Sequence, residues 1–281
     1  MTGLRATDFK ASLRGATAQI TSFEPYTKPA RIVLVIDASS SMSTDPQIWS
    51  LYLRMADHLL ANLPDNTPVA LEVFASHIER TLPPTLDRTR LRDELKGLEH
   101  IHQLTSSREQ LTSLWEVLEA APKLLGTPEF GDVVLALTDA GNSYGKATFH
   151  SAEEALRSNG IRLFWFLIEA PPGHTPEEVV GRPDFEDLVS DTGGVEVKML
   201  ASKLNPRFPF VDQSGRETEA GIQLQRQYQM MLNIYRLEIR FPTPLKKGAR
   251  WKLEINAPSK RKVDILYPAK LADCPASSPI H

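Results

Sequence analysis

Apolar and polar residues follow two rhythms along this chain, and the change of rhythm divides it. Between about residues 31 and 200, short solid runs of aliphatic residues are separated by stretches in which apolar positions recur every three or four residues. Solid runs bounded by small polar residues read as strands buried on both faces, and the recurring pattern reads as amphipathic helix. The runs are Arg31–Ile36, Val69–Phe74, Val133–Thr138, Ile161–Ile168 and Val195–Met199, with Ile78–Leu82 suited to an edge strand. The first helix between them is capped by Asp45, has Pro46 at its first position and carries an apolar stripe from Trp49 to Leu63. Arg90–Leu98, Leu111–Leu125, Ser151–Asn159 closed by Gly160, and Phe185–Asp191 closed by Gly193 and Gly194 follow it. This alternation predicts an α/β fold: a doubly wound, mainly parallel six-stranded sheet flanked by helices.

Outside that stretch the period drops to two. Thr17–Phe23, Arg236–Phe241 and Arg250–Asn256 read as half-buried strands, Pro242–Gly248 supplies turn residues, and Val263–Tyr267 is expected to add a strand. Ala220–Ile234 reads as the helix leading into them. The two ends of the chain are therefore expected to form a small β-layer beside the main sheet. The expected divisions are an N-terminal β segment at 1–28, a core at 29–218, the last helix and C-terminal strands at 219–271, and a disordered Pro- and Ser-rich tail at 272–281.

Composition narrows the function classes. With 41% hydrophobic and 24% charged residues and a net charge of −3, the 281 residues give no overall attraction for nucleic acid. The local cluster Lys246, Lys247, Arg250, Lys252, Lys260, Arg261 and Lys262 reads as the charged edges of surface strands. The longest apolar runs, such as Ile32–Ile36 and Leu163–Ile168, are far too short to cross a bilayer. The first residues lack the charged-then-apolar pattern of a secretory leader, and Cys274, the lone cysteine, excludes an intrachain disulfide.

The chemistry begins where the first run ends. Asp37-Ala38-Ser39-Ser40-Ser41 places a carboxylate and two hydroxyls directly after a buried strand, where open parallel sheets bind ligands. Together Asp37, Ser39 and Ser41 make half of an oxygen cage for a hard divalent cation; Ser40 and Ser43 read as loop residues. Mg²⁺ requires about six oxygens, so other loops at the same sheet end must contribute. Thr112, expected to open the Leu111–Leu125 helix, and Asp139, which follows the Val133–Thr138 run, are the candidates. In the strand order 3-2-1-4-5-6, the first and fourth strands are neighbours across the switch point, which brings Asp37 and Asp139 together. No nucleophile elbow, zinc helix or phosphate loop occurs, and His100 and His102 lie in a polar connector.

On these residues the chain resembles a von Willebrand factor type A (VWA) domain with a metal-ion-dependent adhesion site. Asp37, Ser39 and Ser41 match its Asp-x-Ser-x-Ser loop, Thr112 its second-loop threonine and Asp139 its third-loop aspartate. More narrowly, the chain is similar to the acidobacterial-type VWFA-related family. That similarity rests on Leu4-Arg5-Ala6-Thr7-Asp8-Phe9, Ile20-Thr21-Ser22-Phe23, Thr112–Leu118, Thr192-Gly193-Gly194 and Tyr235-Arg236-Leu237. The resemblance implies a non-enzymatic, divalent-metal-dependent protein-binding module. Its Mg²⁺ (or Mn²⁺ or Ca²⁺) would be held by the five residues and would capture a Glu or Asp carboxylate of a partner protein. It also implies an exported protein in a trimmed or mature form, with a cytoplasmic one as the alternative. Ala140 stands where the family usually has glycine, and an alanine there constrains the position of Asp139. Two other readings stand beside this one: a Mg²⁺-dependent hydrolase using Asp37 and Asp139, and a structural domain with a vestigial metal loop.

Overall fold

Strands that are apolar at every position need cover on both faces, and in the computed structural model each receives it. The structure describes residues 5–99, 111–169, 176–242, 248–255 and 265–271, with the backbone alone at 176–181. In chain order the elements are β1 (Phe9–Leu13), β2 (Ala16–Pro25), β3 (Ile32–Asp37), α1 (Ser40–Ser43), α2 (Pro46–Asn62), β4 (Val69–Phe74), β5 (Ile78–Thr85), α3 (Arg88–Gly97) and α4 (Leu114–Leu124). They continue with β6 (Val133–Leu137), α5 (Phe149–Ser158), β7 (Arg162–Glu169), α6 (Pro176–Thr192), β8 (Glu196–Leu200), α7 (Glu219–Leu232), β9 (Tyr235–Arg240) and β10 (Lys252–Ile255).

The main sheet has the order β5-β4-β3-β6-β7-β8, which is the expected 3-2-1-4-5-6 arrangement with only the β5 edge antiparallel. Ile32, Leu34 and Ile36 of β3 face one core with α2 and α7, and Val33 and Val35 face the other with α4, α5 and α6. The α2 start follows its sequence signals: Asp45 accepts from the N–H groups of Gln47 (2.8 Å) and Ile48 (3.2 Å), and Pro46 takes the first position.

The small sheet is antiparallel, in the order β10-β1-β2-β9, so its inner strands come from the N-terminal end and its outer ones from the C-terminal end. Arg14 (φ 51°) and Gly15 (φ 83°) close the β1–β2 hairpin as the positive-φ pair of a two-residue turn. One face carries Phe9, Ala11, Ala18, Ile20, Leu237, Ile239 and Leu253, and the other is polar.

Several expectations are corrected. β1 is a strand that the sequence reading passed over, because Ala11 and Ser12 make its alternation faint. Ile265–Tyr267 form no strand, and Val263 lies outside the described residues; the extended pairing falls instead between Arg250 and Lys270. α6 begins at Pro176 rather than Phe185 and runs through Pro183, an interior proline that reads as a break. Ser40 and Ser43 lie in a single helical turn rather than in a loop. His100, His102, Cys274 and the 272–281 tail lie outside the described residues, as do five of the seven basic cluster residues.

A buried ionic clasp fixes the C-terminal segment to the core. Lys270 Nζ lies 2.7 Å from Glu153 of α5 and 2.6 Å from Asp191 of α6, and Asp191 is fully buried. Arg157 pairs with Glu153 at 3.3 Å and donates to the Leu271 carbonyl at 2.9 Å, while Arg250 reaches Asp191 at 3.3 Å. Gly193, at φ 80°, lies where a Cβ would meet the Tyr267–Pro268 backbone within 2.7 Å, so glycine is required on two grounds.

Candidate metal centre

Parallel pairing of β3 with β6, with Ile36 opposite Leu137, makes both strands release their chains at the same sheet edge. Asp37 ends β3 in full burial. Its Oδ1 accepts from the Ser39 N–H at 2.9 Å and its Oδ2 from the Thr138 hydroxyl at 2.6 Å. Thr138 Oγ1 in turn accepts from the Ala140 N–H at 3.0 Å, so the first and third loops share one hydrogen-bonded chain. The Ser39 and Ser41 hydroxyls lie 3.1 Å apart, and Ser43 turns away to donate to the Ser39 carbonyl. α1 is what folds these three serines back over the strand end.

Asp139 is nearly buried, and its Oδ1 accepts from the Gly141 N–H at 3.0 Å. Ala140 adopts φ 68°, the left-handed conformation that glycine would supply, with its methyl fully buried. The alanine therefore takes up the turn rather than displacing Asp139 from it. Trp165 Nε1 donates to the Thr138 carbonyl at 2.8 Å and fixes the same loop from β7.

Thr112 sits one residue outside the α4 cap rather than opening the helix. The third loop grips it at both backbone ends. Its N–H donates to Ser143 Oγ (3.0 Å), and its carbonyl accepts from the N–H groups of Ser143 (2.9 Å) and Tyr144 (3.0 Å). Its hydroxyl bonds to none of the described residues. The cap Ser113 gives its hydroxyl to Ala75 instead, and Asn142 Oδ1 accepts the helix-start N–H of Trp115 at 3.2 Å. Thr138, Asn142 and Ser143 were not singled out in the sequence; a threonine ending a buried strand beside a candidate aspartate was the available signal for the first.

The electrostatics of this arrangement favour a cation. Asp37 is pushed up to about 7, first by burial and then by the facing Asp139 carboxylate. Neither carboxylate forms an ion pair with a described residue. Two facing carboxylates with hydroxyls beside them fit a hard divalent ion, whose charge would offset that burial. Among the described residues no group of three or more His, Cys, Asp or Glu side chains gathers at one point, so such a centre depends on hydroxyl oxygens.

Comparison with known proteins supports the fold. Residues 32–155 match the family model described as von Willebrand factor type A domain. No curated protein matches the chain. Among solved structures, the conserved hypothetical protein BatB from Bacteroides thetaiotaomicron is 19% identical with a TM-score of 0.52, over 72% of this chain and 98% of that one. An aerotolerance-related membrane protein from Bacteroides fragilis is 16% identical with a TM-score of 0.50, also over 72% and 98%. A von Willebrand factor type A protein from Catenulispora acidiphila is 13% identical with a TM-score of 0.50, over 82% of this chain and 51% of that one. At these identities the likeness is one of fold.

Proposed function

With residues 32–155 forming a von Willebrand factor type A domain, typically a protein-interaction module, we propose that this chain is a metal-dependent protein-binding module. In this reading it captures an acidic side chain of a partner at the sheet edge. The observation that carries it is the fully buried Asp37 carboxylate, which accepts from Ser39 and Thr138 in a hydrogen-bonded chain that reaches Ala140 beside Asp139, with the Ser39 and Ser41 hydroxyls 3.1 Å apart. Asp37, Ser39, Ser41, Thr112 and Asp139 would hold Mg²⁺, or Mn²⁺ or Ca²⁺, which when bound offers an open coordination position to a carboxylate oxygen. Thr138 holds Asp37 in one orientation, and Ser143 holds the Thr112 backbone. With Asp37 as the one directly bound carboxylate and Asp139 held through water, the hydroxyl ligands add no charge and the centre keeps a net attraction for an outside carboxylate. Leu111, next to Thr112 in the chain, and Tyr144, whose N–H donates to the Thr112 carbonyl, are 37% and 54% exposed and offer apolar surface suited to a protein partner. In this reading the site docks a partner; turnover of a phosphate ester that Asp37→Ala abolishes would favour the Mg²⁺-dependent hydrolase instead. Export from the cytoplasm is part of the same proposal.

Thermal denaturation tests it. Mg²⁺ at about 100 times its Kd should raise Tm by roughly 5–10 °C in the native chain and leave Asp37→Ala unmoved. Peptides selected against the Mg²⁺-loaded chain should carry an obligatory Glu or Asp and dissociate on adding chelator. Tyr144→Ala should weaken those peptides about tenfold while keeping the Mg²⁺ shift. A native Tm indifferent to Mg²⁺, Mn²⁺ and Ca²⁺ would refute the reading and leave a vestigial loop.

A further inference from the structure

The third loop continues past Asp139 and is fixed twice more. The Ser143 and Tyr144 N–H groups donate to the Thr112 carbonyl, the chain turns at Gly145 (φ 107°), and the Lys146 N–H donates to Glu116 Oε1 at 2.8 Å. Gly145 lies so close to α4 that an added Cβ would sit 2.9 Å from the Glu116 carboxyl carbon. Tyr144 and Lys146 are therefore exposed side chains on a backbone held at both ends.

Beside Lys146 a crevice of about 370 Å³ runs between α4 and the start of α5, and Glu116, Glu119, Lys123, Thr148 and Ser151 help to line it. Its other polar groups have partners close by. Thr148 and Ser151 close on each other as the capping box of α5. Glu116 accepts the loop N–H, and Glu119 and Lys123, four residues apart, share one helix face and offset each other. The Lys146 ammonium forms no ion pair with a described residue. It is a cation on a fixed base, beside the loop that carries Asp139.

We propose that Lys146 is the second contact of the docking site, an assignment that rests on the metal-dependent reading. It pairs with an acidic residue of the partner four positions from the one at the metal, and an apolar partner residue midway lies against Tyr144. The spacing follows from reach. Tyr144 N–H is 3.0 Å from the Thr112 carbonyl, so Tyr144 flanks the centre, and Lys146 stands two residues further, at most about 7 Å along the loop. An extended segment advances about 3.3 Å per residue and turns alternate side chains to one face. Leaving the metal, its next residue on that face comes after about 7 Å, over Tyr144, and the one after that at about 13 Å, within reach of the Lys146 side chain. The partner signature is acidic-x-apolar-x-acidic. An exposed ion pair contributes at most about fivefold in affinity, so Lys146 selects among partners while the metal supplies the anchor.

An array of seven-residue peptides, with Glu fixed at the second position and the others randomised, probed with the whole chain in Mg²⁺, tests the assignment. The native chain should prefer Asp or Glu at position six, by about fivefold over Lys, and an apolar residue at position four. Lys146→Glu should reverse the preference at position six to Lys or Arg while keeping the native melting curve and Mg²⁺ shift. No preference at position six, an acidic preference at another position, one that survives Lys146→Glu, or a Mg²⁺-responsive chain that binds none of the peptides overturns the assignment and leaves the metal site standing. A native Tm blind to Mg²⁺, Mn²⁺ and Ca²⁺ overturns both.

Discussion

Ala140 shows how little margin one residue can leave. A left-handed alanine costs roughly 1–2 kcal/mol, yet its methyl is fully buried. Glycine would relieve the conformation while losing about 0.8 kcal/mol of burial and roughly 0.5–1 kcal/mol of chain entropy. Ala140→Gly should therefore move the urea midpoint by less than the equivalent of about 1 kcal/mol, whereas Ala140→Val, β-branched at positive φ, should cost about 2–3 kcal/mol. Glu72 is a second isolated case. It lies in the middle of β4, nearly buried, with Oε2 unbonded, and burial pushes its carboxyl up to about 7. A carboxyl with a raised folded-state value holds its proton in the native state after the unfolded chain has released it. Stability therefore falls as pH rises from about 4.5 through 7. Glu72→Gln should flatten that slope, matching the native chain near pH 4 and exceeding it by up to about 3 kcal/mol at pH 8, as read by chemical denaturation across pH.

The start of α4 depends on residues distant in sequence. Its cap hydroxyl is spent on Ala75, and Asn142 from the third loop serves the first turn. Asn142→Ala should cost about 1 kcal/mol of stability and, through the Thr112 linkage, weaken Mg²⁺ binding in a calorimetric titration. The dependence also explains what could be read in the sequence. Solid runs such as Ile32–Ile36 and Val133–Leu137 announced buried parallel strands, and their order placed Asp37 beside Asp139. Period-two segments announced the small sheet. Interactions between loops carry no local pattern, so Asn142 and Ser143 were invisible until the strands were paired. Pro183 hid the first half of α6, because a proline inside a helix is disfavoured locally and tolerated only when packing compensates. The Arg14-Gly15 turn was passed over together with the short, small-residue strand before it.

For the whole molecule, charge ties the C-terminal segment that follows the small sheet to helices α5 and α6. Lys270→Met leaves Asp191 and Glu153 buried with less cationic cover, and removing one partner of a buried cluster is costly. Lys270 is itself partly exposed, so a loss of about 2–4 kcal/mol is expected, with hydrogen exchange rising first in residues 249–255 and 265–271. The candidate metal centre lies at the carboxyl ends of the parallel strands. The clasp engages Asp191, at the end of α6, and Arg157, near the end of α5. A further consequence concerns mechanical load. Phe9, where β1 begins, is paired with Ile255, where β10 ends, so tension drawn through these two points would peel the strands apart one contact at a time. Because the chain next runs through Lys270 into the core, pull arriving from beyond residue 271 meets the clasp before it meets that seam. The small sheet is thereby shielded from traction on its weakest axis, and the grip that bears the strain is ionic.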